Sequence, residues 1–171
     1  ILKGMGIPLS QMAVLYRTKF SSLSFEQAFR AAGIPYRMLG GKGFFERMEI
    51  MDLNCYLSAA AFPRDDASFE RIINTPRRGI GPGTVRKLRD MRSDGMSLQE
   101  AAREALRKKL LTAKLYLSLE TVMQLLDDIR IMPPADALRT VIKRVDYLAH
   151  LSHYARGNSM EVIAREENID Q

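Results

Sequence analysis

The sequence contains little that would support a disulfide, a metal site or a membrane span. Its 171 residues include one cysteine, Cys55, so no internal disulfide can form and no cysteine pair has metal-ligand spacing. No apolar run approaches the roughly 18–20 residues that cross a bilayer. His150 and His153 are three residues apart without a carboxylate or cysteine in register, which favours a helix surface over a metal site. These absences predict a cytoplasmic chain that binds neither metal nor membrane.

The elements of an ATP-hydrolysing site are also missing. The sequence has no Gly-x-x-x-x-Gly-Lys-Ser/Thr loop to hold the phosphates and no Asp-Glu pair after a strand to hold the metal. We therefore expect this chain to contain no catalytic residue, to bind no cofactor and to hydrolyse no ATP by itself.

The basic charge of the chain is concentrated in its middle. Residues 71–114 carry 12 basic and 4 acidic side chains, a net charge of +8, whereas the flanking segments are nearly neutral. Such a block is typical of a polyanion-binding surface. The alternative is a solvated helix face rich in arginine.

Two short apolar segments near the N-terminus have the character of strands. Residues 12–16 are apolar without helical spacing, and residues 35–39 follow a predicted helix that opens with the capping box Ser24-Phe-Glu-Gln27 and ends at Gly33. Strand, helix and strand at this spacing form one βαβ unit, most simply with parallel strands. One unit cannot cover both faces of a sheet. Residues 1–42 are therefore predicted to be a small remnant of a larger parallel α/β domain.

From residue 43 onward the pattern predicts helices only. The capping box Ser97-Leu-Gln-Glu100 opens a helix that runs to Leu110, and the tail from residue 161 is polar. The other predicted helices cover residues 46–61, 68–73, 84–91, 113–131 and 135–154. The predicted fold class is therefore mainly α: a multi-helical domain over residues 43–171, preceded by the βαβ remnant.

The strongest local signal is the basic, glycine-rich run at residues 72–85. Short helices on either side of Gly79-Ile80-Gly81 are typical of a helix-hairpin-helix, here at about residues 69–91. Gly79 and Gly81 are predicted to adopt backbone angles closed to other residues, and they let the main chain approach a phosphate. The first turn of the next helix has free N–H groups and a positive dipole end. Such contacts carry no sequence information. The predicted duplex-backbone site is Arg77, Arg78, Gly79, Ile80, Gly81, Gly83, Thr84, Arg86 and Lys87. The alternative is a tight turn between packed helices.

A second candidate phosphate site follows the first predicted strand. Arg17, Thr18 and Lys19 stand at its C-terminal end, where ligands bind in open α/β sheets. A surface salt bridge explains these residues equally well. After the second strand, adjacent glycines suggest a hinge, and Phe44 and Phe45 offer core packing or base stacking.

Taken in order, these motifs resemble the superfamily 1A DNA helicases of the UvrD/PcrA/Rep group. The resemblance covers nearly the whole chain and is strongest over residues 7–90. The matching motifs are Ala13-Val14-Leu15-Tyr16-Arg17-Thr18, Ala32-Gly33-Ile34-Pro35-Tyr36-Arg37, Gly40-Gly41, Phe44-Phe45-Glu46-Arg47-Met48-Glu49-Ile50-Met51-Asp52, Asn74-Thr75-Pro76-Arg77-Arg78-Gly79-Ile80-Gly81 and Arg165-Glu166-Glu167-Asn168-Ile169. It implies that residues 1–42 are a segment of the second motor domain (2A). Residues 43–171 would then be the helical accessory domain (2B).

The resemblance further implies a piece of an ATP-dependent 3′→5′ DNA helicase that acts in DNA repair or replication restart. DNA at the single-strand/duplex junction is the implied partner, with repair proteins as further candidates, and ATP and Mg²⁺ are expected for the parent protein. In such helicases the Tyr-Arg-Thr strand end lies along the single-stranded DNA, which implies this role for Arg17 and Thr18. The family commonly has Asn next, so Lys19 suggests a phosphate contact instead of a base contact. The family tends to have a basic residue directly before the two phenylalanines. In this sequence Gly43 occupies that position and Lys42 precedes it, so the resemblance assigns the single-strand contact to Lys42.

Other functions remain open at this point. The helical region could be a stand-alone helix-hairpin-helix module without a motor, although the βαβ remnant and the open-ended tail argue against it. It could also be a docking surface for repair proteins or an autoinhibitory lid. A RecB- or AddA-type nuclease-helicase fits less well, because those proteins diverge around the Gly-Ile-Gly hairpin.

Overall fold

The computed structural model describes residues 2–17, 21–39, 43–155 and 159–170. The chain divides into two compact units, Ile1–Arg47 and Met48–Gln171. Across the described ranges every regular element is a helix, which confirms the mainly α fold class. None of these helices is both long and apolar enough to cross a membrane.

The first unit is built around a single α-helix. Short 3-10 helices at Leu2–Met5 and Leu9–Gln11 precede helix α1, Ser21–Ala31, and another, Phe44–Glu46, follows it. Gly33 has φ +62° and ends the helix region as predicted. The predicted capping box at Ser24 is wrong, because α1 already begins at Ser21.

The two segments predicted as strands do not form strands. Residues 12–16 and 35–39 have no ladder partner within the described part of the chain, so the βαβ unit is not confirmed. Leu15 is 94% exposed and Val14 is 44% exposed, so these two apolar side chains are not covered as they would be in a buried strand. An apolar composition without a neighbouring strand leaves the backbone N–H and C=O groups unpaired, and a strand exists only as part of a ladder.

The second unit is an array of eight described helices. They are α2 (Met48–Ala61), α3 (Asp66–Ile72), α4 (Pro82–Asp90), α5 (Leu98–Arg107), α6 (Ala113–Arg130), α7 (Pro134–Arg144), α8 (Tyr147–Tyr154) and α9 (Ser159–Asp170). Helix α2 lies at the centre and packs against α3, α6, α7 and α9. Its Tyr56 is fully buried together with Phe69, Leu88, Leu98 and Leu126 from four other helices. One contiguous apolar core therefore holds the hairpin region and the long helix α6 together.

One predicted helix is divided in two. The apolar periodicity predicts a helix over residues 135–154, but the chain turns at Asp146, which has φ +52°, and separates α7 from α8. The turn places Tyr147 in the core, where its hydroxyl donates to Asp52 Oδ2 at 2.8 Å. Burial raises the pKa of the Tyr147 hydroxyl, which keeps it protonated as a donor. The single-helix prediction is therefore wrong, because apolar spacing continues across the break.

Two buried carboxylates on α2 tie distant helices to it. Asp52 also accepts from Arg71 Nε of α3 at 2.7 Å. Glu49, only 2% exposed, accepts from Arg165 Nη1 and Asn168 Nδ2 of α9, both at 2.6 Å. Buried charges of this kind persist only when paired and hydrogen-bonded. Polar contacts as well as apolar packing therefore hold α9 on α2.

Candidate nucleic-acid interface

The glycine-rich hairpin joins α3 to α4, and one asparagine shapes it. Asn74 Oδ1 accepts from the backbone N–H groups of Arg78 at 2.7 Å and of Ile80 at 3.2 Å. The Ile80 side chain, only 1% exposed, is inserted into the core. A turn held by an internal hydrogen-bond hub and an apolar anchor keeps its exposed main chain in one conformation. Ile80 thus anchors the hairpin to the core with its buried side chain.

Arg78 points into the protein instead of towards solvent. Its guanidinium donates to the carbonyl oxygens of Ile72 at 2.9 Å and Thr75 at 3.1 Å, and to the hydroxyl of Tyr56. The same hydroxyl donates to Thr75 O at 2.6 Å, and burial raises its pKa. Ser118 Oγ of α6 donates to Arg78 O at 2.9 Å. Arg78 therefore fastens the hairpin to α2 and to the backbone after α3, and it uses three of its five N–H donors to do so.

The three glycines of the hairpin differ in their backbone geometry. Gly79 has φ +79°, in the left-handed region that favours glycine, whereas Gly81 is the N-cap of α4 with φ −83°. The prediction of unusual backbone angles is therefore confirmed for Gly79 and wrong for Gly81. A Cβ built at Gly81 or at Gly83 meets no heavy atom within 4 Å. Both positions thus present main chain that a ligand can approach closely.

The backbone N–H groups of Gly79 and Gly83 in this hairpin are unused in the described structure. Pro82 occupies the first helical position of α4 and has no N–H, while the N–H of Thr84 donates to Gly81 O at 3.0 Å. Within the described residues, the N–H groups of Gly79 and Gly83 have no acceptor, and both residues are exposed. An exposed helix start with unused N–H groups favours an anion.

Half of the basic side chains of residues 71–114, a segment that the structure describes completely, are already paired. The ion pairs are Arg71 with Asp52, Arg89 with Glu70, Arg92 with Asp66, Arg103 with Asp127, and Arg107 and Lys108 with Glu104. The other six form no ion pair with any described residue: Arg77, Arg78, Arg86, Lys87, Lys109 and Lys114. Arg86 and Lys87 follow Gly83 by three and four residues and so share its helix face. Apart from Lys109, which follows α5, the side chains without an ion pair thus lie in or next to the hairpin.

The structure adds one residue that the sequence did not indicate. Lys114, in the first turn of α6, places its Cε 4.0 Å from the position that a Cβ on Gly79 would occupy. The two residues are far apart in sequence, so no local motif joins them. The sequence offered one indication of a role for Lys114: it is a lysine in the first turn of a helix, where the helix dipole disfavours a cation.

The candidate single-strand residues are only partly described. Thr18, Lys19 and Lys42 lie outside the described residues. Arg17 is exposed, and the neighbouring Tyr16 stacks on Phe25 with ring centroids 6.2 Å apart.

The two consecutive phenylalanines pack within the first unit. Phe44 is 7% exposed and meets Phe45 edge to face at 5.2 Å. The guanidinium of Arg30 lies 4.3 Å from the centroid of the Phe45 ring and covers one face of it. Buried Glu26 accepts from Phe44 N at 2.9 Å. The sequence left core packing and base stacking open for these two rings, and their contacts in the structure are those of packing.

The two histidines lie on α8. His150 is half-buried, with its ring centroid 5.5 Å from that of Tyr147, and burial lowers its pKa. Among the described residues there is no group of three or more His, Cys, Asp or Glu side chains that could hold a metal ion.

Comparison with known proteins identifies the family. Residues 2–132 match the UvrD-like helicase C-terminal domain. The chain is 42% identical to DNA helicase II of Escherichia coli (strain K12) over 123 residues, which are 71% of this chain and 17% of that protein. It is 35% identical to the ATP-dependent DNA helicase PcrA of Staphylococcus epidermidis (strain RP62A) over 97% of this chain and 23% of that protein. The chain thus spans about a fifth of the length of these relatives. It belongs to the family of UvrD-like helicase C-terminal domains, as a piece of a UvrD/PcrA-type helicase.

Proposed function

We propose that this chain is the part of a 3′→5′ DNA helicase that holds the duplex backbone next to the single-strand/duplex junction. The observation that carries the proposal is the exposed hairpin, where the unused N–H groups of Gly79 and Gly83 lie among cations without ion pairs. Its relatives are named DNA helicases, and we therefore take the polyanion that binds here to be DNA. Phosphate contacts of this type position a protein without selecting a base sequence.

Within this site the residues have two different tasks. Gly79 and Gly83 supply main-chain donors, and Arg77, Arg86 and Lys87 supply mobile charge. Gly81 keeps the start of α4 free of a side chain, and Thr84 lies in its first turn. Arg78 and Ile80, which point inward, hold the loop in shape. This division removes Arg78 from the phosphate contacts and keeps it as a positioning residue.

The remaining parts of the proposal rest on the family. Residues 1–42 belong to a motor domain and residues 43–171 to the accessory domain. Arg17, Thr18, Lys19 and Lys42 contact the single strand. The parent protein binds ATP and Mg²⁺, couples hydrolysis to translocation and acts in repair or replication restart. Because the sequence has no P-loop, the chain alone hydrolyses no ATP, and a DNA-stimulated ATPase assay on it tests this.

Gly81→Ala/Gly83→Ala is the sharpest test of the hairpin. Neither glycine needs a positive φ and both new methyl groups have open space, so the fold tolerates the change. At position 83, in the first turn of α4, alanine also favours the helix. We expect affinity for a labelled DNA hairpin to fall about 5- to 30-fold, equivalent to about 1–2 kcal/mol, because the methyl groups keep phosphates from the backbone. Fluorescence anisotropy measures this, with a matched single strand expected to bind nearly as before.

Gly4→Ala in the first unit is the matched control. Gly4 also has open space at its Cβ and no positive φ, but it is not in the hairpin. It should bind both DNA forms like the wild type. If the Gly81→Ala/Gly83→Ala protein is folded and binds duplex as tightly as the control, the hairpin is only a turn between helices and the proposed function is wrong.

A further inference from the structure

We propose that Lys114 of α6 is a further phosphate-binding residue of the duplex site, bonding the same stretch of backbone that the hairpin engages. This inference rests on the proposed function of the hairpin. Its geometric basis is the approach of the Lys114 side chain to Gly79, with Cε 4.0 Å from the position of a Cβ there. The ammonium group is one bond beyond this Cε, at the end of a flexible side chain that approaches the turn with the unused N–H.

The position of Lys114 relative to the hairpin is fixed by a second contact on the same helix face. Ser118, one turn along α6, donates its Oγ to the carbonyl of Arg78 at 2.9 Å. Arg78 is in turn fastened to the backbone of Ile72 and Thr75. Residues four apart on a helix lie on one face, so this bond holds the base of the Lys114 side chain beside the turn.

Lys114 is exposed and pairs with no acidic group among the described residues, whereas Lys108 nearby in sequence is held by Glu104. It stands in the first turn of α6, where the positive dipole end disfavours a cation and no acidic residue compensates. The first turn of α4 likewise has no acidic residue, whereas the first turn of α5 contains Glu100. Two uncompensated helix starts, a lysine and open main chain together favour a phosphate.

Replacing Lys114 by alanine tests the proposal. We expect duplex affinity to fall about 3- to 10-fold at low salt, as for one charge-assisted contact. The slope of log K against log salt should become shallower by about 0.9, the value for one phosphate fewer. Lys114→Arg keeps the charge and should recover most of both effects. Single-strand affinity should change little in either variant.

Lys143→Ala is the control for a change in net charge alone. Lys143 is exposed and forms no ion pair with a described residue, and its neighbour Arg144 pairs with Asp128. Asp128 is about 21 Å along α6 from Lys114. Lys143→Ala should leave the salt slope unchanged. If Lys114→Ala matches it, Lys114 is a solvated lysine and the inference is wrong, even where Gly81→Ala/Gly83→Ala still weakens duplex binding. If that glycine pair binds duplex normally, the proposed function itself fails.

Discussion

Two adjacent arginines of the hairpin have opposite roles. Arg77 is exposed and without an ion pair in the described structure, whereas Arg78 gives its donors to Tyr56 and to two backbone carbonyl groups. The sequence placed both in one DNA-binding cluster. Nothing in a run of basic residues indicates which side chain turns inward. That depends on Tyr56, about two dozen residues earlier on α2, being buried beneath the loop.

Replacing each of these two arginines by alanine should have a different effect on the free energy of unfolding. Arg78→Ala leaves buried carbonyl oxygens without their charged donor, so we expect the free energy of unfolding to fall by about 2–3 kcal/mol. Arg77→Ala should change it by less than about 0.5 kcal/mol, as is usual at the surface, while weakening duplex binding. Urea denaturation of both variants measures this. Equal stability of the two proteins would show that the inward hydrogen bonds of Arg78 do not hold the hairpin.

At the scale of elements, capping motifs in the sequence predicted the start of some helices but not of others. The capping box at Ser97 is confirmed: its hydroxyl accepts from Glu100 N, and the Glu100 carboxylate accepts from Ser97 N at 2.6 Å. The same motif at Ser24 failed because α1 starts earlier. Helix α3 starts at Asp66, capped by Asp65, two residues before the predicted start. A capping pattern predicts a local bond, but packing decides which candidate residue starts the helix.

Longer-range choices were beyond the sequence pattern. The turn at Asp146 depends on Tyr147 reaching Asp52 on α2, a contact across 95 residues. Helix α9 was not among the predicted helices, since its residues are mostly polar. Its attachment comes from Arg165 and Asn168 meeting the buried carboxylate of Glu49. Contacts of this separation do not appear in local periodicity.

Removing Arg165 should test how α9 is held. Arg165→Met leaves Glu49 buried without its cation, which costs about 3–5 kcal/mol in the free energy of unfolding. Adding Glu49→Gln should recover part of that loss. Arg139→Met is the control, because Arg139 is 77% exposed and its pair with Asp136 contributes less than about 1 kcal/mol. Denaturation and hydrogen exchange of the α9 amides measure the effect. A cost no larger than that of the control would contradict a clamping role for this cluster.

At the scale of the whole molecule, the formal charge exaggerates what DNA would meet. Residues 71–114 have a net charge of +8, but several of their arginines pair with acidic side chains outside that segment, among them Asp52, Asp66, Glu70 and Asp127. Counting charges in the sequence therefore overstated the unpaired charge of this segment. Composition counts charges, whereas the fold decides which of them neutralise each other.

This difference sets the expected salt dependence of duplex binding. If all of the formal charge met DNA, eight phosphates would be neutralised and the slope of log K against log salt would be about −7. If binding is confined to the hairpin with Arg77, Arg86, Lys87 and Lys114, the slope should be about −2 to −4. Two duplexes of unrelated sequence should bind within about twofold of each other, because phosphate contacts do not distinguish bases. Anisotropy titrations at several salt concentrations measure both quantities. A slope near −7 would mean that the surface ion pairs open on DNA and that the contact is a broad basic face instead of a hairpin.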